Sequence, residues 1–79
     1  MFHAMKRDIR LEVCYNTEHG LTIAPLAEGD LQYRRAQAIA QSNLILAQQH
    51  LKKMEGLITE WEVRDYFAER GWEVEPVLS

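Results

Sequence analysis

The chain predicts an α+β domain in the order ββααβ: a small three-stranded sheet, hairpin plus C-terminal strand, packed against one long and one short helix. Three observations carry this. Residues 8–16 and 21–24 alternate apolar and polar with period two. Residues 30–55 repeat apolar positions at helical spacing without a glycine or proline. Residues 59–71 open on a capping sequence and close on a glycine.

In the first strand Ile9, Leu11, Val13 and Tyr15 share one face, opposite Asp8, Arg10, Glu12, Cys14 and Asn16. The turn cluster Asn16-Thr17-Glu18-His19-Gly20 follows. Leu21-Thr22-Ile23-Ala24 then alternates in the same sense and stops at Pro25, which cannot donate to a sheet ladder. The economical reading is a hairpin. Residues 1–7 read as a flexible N-terminal segment of a single domain spanning 1–79.

Asp30 is the expected N-cap of the long helix, and Leu, Gln, Arg and Ala after it have good helix propensity. Tyr33, Ala36, Ala40, Leu44, Ala47, Leu51 and Met54 form one stripe, broadened by Ile39 and Leu46. Gly56 stands where a left-handed C′ residue would end the helix, with Leu57 closing on Leu51. Thr59-Glu60-Trp61-Glu62 fits a capping box, flanked by Ile58 and Val63 as a hydrophobic staple. Gly71 ends the second helix and lets Trp72 fold back on Phe67. Trp72-Glu73-Val74-Glu75 alternates again, and Pro76 marks it as an edge strand.

The chain's 79 residues permit one domain, and a chain of that size buries only about 60–65% of its unfolded surface, so a partner subunit is a natural remedy. A net charge of −3 excludes binding to nucleic acid or anionic membrane by bulk attraction. One cysteine makes no internal disulfide and points to a reducing, cytoplasmic setting. No apolar run approaches a bilayer span, and MFHAMKRDIR lacks the apolar core of a signal peptide.

Catalytic signatures are missing. His3, His19 and His50 show no ligand spacing to one another or to Cys14, and Cys14 with His19 supplies two metal ligands where zinc needs three or four. Glycine-rich phosphate loops and the Gly-x-Ser-x-Gly elbow are absent. No cofactor is therefore expected. Charge is segregated instead. Residues 57–79 hold six acids and two bases, a segment charge of −4, with Glu62, Asp65 and Glu69 on one helical face. Arg34-Arg35 and Lys52-Lys53 stand 18 residues apart on the long helix, five turns or about 27 Å, so the pairs face the same way.

These features favour a small non-enzymatic protein–protein interaction module, an adaptor or inhibitor of a larger protein. A phage or mobile-element origin suits so compact a chain, as a prior about short chains rather than a reading of residues. The 30–55 helix would be about 36–39 Å long against a domain about 30 Å across, which suggests a homodimer through that helix. Trp61 and Ile45 are the candidate apolar anchors, with Glu62, Asp65, Glu69, Arg34, Arg35, Lys52 and Lys53 as candidate charged contacts. The alternatives are a nucleic-acid-binding regulator using the two basic pairs, and a small enzyme or metal protein around Cys14 and His19.

Overall fold

A computed structural model describes residues 1–77. The order is βββααβ: β1 (Phe2–Lys6), β2 (Ile9–Asn16), β3 (Gly20–Pro25), α1 (Asp30–Lys53), α2 (Glu60–Glu69) and β4 (Glu73–Pro76). The four strands form one antiparallel sheet in the order β3-β2-β1-β4. The α+β class and the two helices agree with the sequence reading; the strand count of three is corrected to four.

The added strand replaces the flexible segment expected over residues 1–7. Phe2 and Ala4 are wholly buried, while His3 and Met5 point to the other face, so the segment does alternate. It escapes notice because Ala and Lys are poor strand formers and the Arg7-Asp8 turn contains no glycine or asparagine. The hairpin of β2 and β3 forms in the expected sense, with Val13 opposite Ile23 and Tyr15 opposite Leu21. Its loop is held by Asn16, whose Oδ1 accepts from the His19 amide at 2.6 Å. β4 lies at the edge beside β1, and Val74 faces the core opposite Ala4.

Both helices cover one face of the sheet. α1 rests chiefly on β3, and α2 on β4 and β2. Ala36, Ala40, Ala47 and Leu51 are the buried line of α1; the alanines let the helix backbone approach the strands closely. Tyr33 and Leu46, assigned to that stripe from the sequence, remain largely exposed. α2 contributes Val63, Tyr66 and Phe67. The Phe67 ring meets Phe2, Tyr66 and Trp72 edge-on, with centroids 5.9, 5.6 and 5.7 Å away. Such pairs add about 0.5–1.5 kcal/mol beyond simple burial.

The helix ends differ from expectation for α1 and match it for α2. Gly29, at φ +87°, is the N-cap of α1 and no side chain caps it. Asp30, expected in that role, is already helical and acts only as a first-turn acid favoured by the macrodipole. The helix stops at Met54, whose amide donates to Leu51 O at 3.2 Å. Gly56 therefore lies beyond the cap, and Leu57 points to solvent instead of closing on Leu51. At α2 the capping box is complete, and Ile58 and Val63 both join the core. Its end is a Schellman motif: Gly71 at φ +86° donates to Ala68 O, and Trp72 N donates to Phe67 O, both at 3.1 Å.

The domain measures 40 × 26 × 24 Å. A 24-residue helix is about 36 Å long, so α1 spans nearly the whole long axis. Its first six residues, Asp30–Arg35, are all exposed. No helix among the described residues is long and apolar enough to cross a membrane.

Candidate functional site

The solvent face of α1 is the first surface that the fold leaves uncovered. Leu31, Ala38, Ile45 and Lys52 recur every seven residues and stay nearly in line along the helix. Leu31 is 76% exposed and Ile45 57%. Arg34 lies beside this line near its start, and Lys52 ends it. Between Leu31 and Met54 the chain has no Asp or Glu at all. The result is an apolar midline with basic ends and glutamines at its sides. Arg35 and Lys53 lie further round the helix, and Arg35 lines a cleft with Arg70 and Trp72.

The acidic residues do not assemble into one patch. Glu62, read as part of an acidic face, serves α2's own cap: its carboxylate accepts from the Thr59 amide at 2.7 Å and from the Thr59 hydroxyl. Those bonds, the hydroxyl first, hold the Glu62 carboxyl below its ordinary range. Asp65 and Glu69 remain exposed on α2. Glu73 and Glu75 project from the opposite, uncovered face of the sheet, where they flank Met5 and His3. The sheet itself divides the −4 segment.

Trp61 is 67% exposed in the first turn of α2, with the Arg64 guanidinium 4.9 Å from its ring. Leu57, 80% exposed, precedes it in the connection between the helices. Trp61 is thus an outward apolar group on α2, on a different helix from Ile45.

A third feature appears only in three dimensions. Between α1, the β1–β2 turn and the end of α2 lies an open cleft of about 490 Å³, with Lys6, Arg7, Arg35 and Arg70 on its walls and one acid, Asp8. Lys6 Nζ donates to Arg70 O at 2.9 Å, capping α2. Arg70 lies 3.6 Å over the Tyr66 ring and donates to Tyr66 O at 3.1 Å. Arg35 Nη1 meets Asp8 Oδ2 at 3.3 Å, with both side chains more than half exposed. Of these residues sequence reasoning singled out Arg35 alone. Lys6 and Arg70 are 64 positions apart, and only sheet pairing and the Schellman turn bring them together.

Cys14 and His19 acquire no shared site. Cys14 is mid-strand on the uncovered sheet face, opposite Thr22, while His19 stands at the exposed hairpin loop beside Glu18. Among the described residues no group of three or more His, Cys, Asp or Glu could hold a metal ion. His50 is half-buried on the α2 side of α1, its ring 5.1 Å from that of Tyr66.

Compared with protein-family models, with curated proteins and with solved structures, the chain has no significant match in any of the three.

Proposed function

We propose that the protein is a non-enzymatic interaction module, an adaptor or inhibitor, that docks an acidic surface of a partner protein onto the solvent face of α1. The observation that carries this reading is the acid-free stretch from Leu31 to Met54, with exposed Ile45 between Arg34 and Lys52 and exposed Leu31 one turn before Arg34. An apolar centre with a charged rim is the usual anatomy of a protein interface. Cationic ends speed encounter with an acidic partner and select against a basic one.

The same charges argue against pairing α1 with α1 of a second copy. Parallel or antiparallel, such a homodimer would set basic pairs against basic pairs with no acid between them. Nucleic acid would also be attracted by the cations, but Leu31 and Ile45 give phosphates nothing to contact. A cytoplasmic setting suits the free thiol of Cys14.

The test is affinity capture from the native cell under nuclease treatment, with identification of the retained protein and remeasurement with that protein purified. Ile45→Asp, and Arg34→Glu with Lys52→Glu, should each weaken binding at least tenfold, and added salt should weaken the wild-type complex. Binding that survives both variants and disappears with Trp61→Ala would move the interface to α2 and overturn the reading.

A further inference from the structure

We propose that the cleft between α1 and the β1–β2 turn binds a small ligand through its carboxylate or phosphate group, with Asp8 as the anion that the ligand displaces from Arg35. This does not depend on the docking face of α1, whose midline of Leu31, Ile45 and Lys52 is turned away from the cleft residues Ile39 and Asn43. Four observations converge on it. First, Lys6, Arg7, Arg35 and Arg70 against Asp8 give the cleft walls a formal charge of +3, in a chain whose net charge is −3. Focused charge of one sign in a concave site is what concentrates a counter-ion. Second, the cleft, at about 490 Å³, is large enough for a small organic anion and has Ile39 and Trp72 among its lining residues.

Third, Arg7 sits at φ +57°, the one non-glycine residue among those described with a positive φ. A left-handed arginine in a two-residue hairpin turn is a costly choice where glycine or asparagine would serve. Folding alone does not ask for an arginine there. Anion binding does, because the turn sets Arg7 on the cleft wall, where it has no ion-pair partner within 4 Å among the described residues. Fourth, the other cations keep donors free. Lys6 commits one of its three N–H groups to Arg70 O, Arg70 commits Nη1 to Tyr66 O, and Arg35 meets Asp8 through Nη1. The Arg35–Asp8 pair is exposed on both sides, so it is weak and readily exchanged. A carboxylate or phosphate entering the cleft takes the place of Asp8 on Arg35 and gains Arg7 and Lys6 as well. Bidentate guanidinium contacts suit either group.

The experiment titrates the full chain with orthophosphate and, separately, with acetate, at constant ionic strength held with sodium chloride, following amide shifts by NMR. Saturating shifts centred on residues 6–9 and the Asn43 side chain are expected within tens of millimolar. Saturation by phosphate alone assigns phosphate-bearing ligands, by acetate alone carboxylates, and by both a general oxyanion site. Arg7→Gly should weaken binding about tenfold, the loss of one charge-assisted contact, while leaving the melting temperature equal or higher because glycine relieves the positive φ. Asp8→Asn should tighten binding about threefold, since it frees Arg35. Shifts that never saturate, or that fall equally on Arg34, Lys52 and Lys53, overturn the proposal. So does Asp8→Asn leaving affinity unchanged or weaker, because displacement of Asp8 is the step proposed.

Discussion

The two helices rest on the same sheet, yet they are built in opposite ways. α2 has ten residues, a complete capping box at its start and a Schellman motif at its end. Its buried face is bulky, with Val63, Tyr66 and Phe67 tied into an aromatic cluster with Phe2 and Trp72. α1 has 24 residues, no side-chain cap and a buried line made mostly of alanine. Alanine buries little area, so α1 is anchored by length and close approach, and α2 by volume. The contrast teaches where function can be placed. A helix held by a thin inner stripe can give its outer side to other purposes, and the exposed apolar midline of α1 lies there. α2 spends Glu62 and the Trp72 turn on its own ends.

Substitutions can break that contrast. The largest effect should come from Phe67→Ala, which empties the centre of the aromatic cluster: a loss of about 3–5 kcal/mol by urea unfolding, enough to unfold much of the population. Ala40→Leu tests the close approach of α1 to β3. It should cost about 1–3 kcal/mol through overpacking, although leucine suits an isolated helix almost as well as alanine. If α1 were loosely seated, the substitution would be neutral or stabilising.

Smaller effects separate the helix ends. Gly71→Ala should cost about 1 kcal/mol, because alanine resists the left-handed conformation that the Schellman turn requires. The added methyl would meet only the flexible end of Lys6, at 3.8 Å, so crowding is not the cause. Thr59→Ala should cost about 1 kcal/mol through the lost cap. It should also alter the acid limb of the stability curve. The folded-state carboxyl of Glu62 lies below its ordinary value of 4.5, so the stabilisation it contributes is complete above that value. It is lost as pH falls through the lower folded value. Urea midpoints measured downward from pH 5 should decline less steeply in Thr59→Ala and Glu62→Gln than in the wild type. The smallest effect belongs to Ile45→Asp, within about 0.5 kcal/mol of wild type in stability, since the residue touches solvent on the outer face. A large loss there would mean that α1's outer face supports the fold itself.

Both ends of α2 were legible residue by residue, because a capping box and a Schellman stop are local codes whose partners lie within a few positions. The β2–β3 hairpin was legible for the same reason: alternation and turn residues act over short range. The first strand was not. Phe2 and Ala4 become core positions only when β2 and β4 pair on either side of them. The outward position of Ile45 followed from helical periodicity, and the neighbouring Arg34 and Lys52 from their spacing of five turns. The −4 segment, by contrast, was one object in the sequence and two in space, since α2 and the Glu73/Glu75 side of β4 lie on opposite faces of the sheet.

The sequence by itself determined the α+β class, the two helices, the caps of α2 and the acid-free run of α1, because each is written in residues close enough to act on one another directly. Tertiary structure alone decided the fourth strand, the separation of the acidic residues and the cationic cleft. Lys6, Arg35 and Arg70 meet there because antiparallel pairing returns β4 beside β1 and packing sets α1 above them. Contacts between residues so far apart in the chain depend on how whole elements pack, and local pattern carries no record of that.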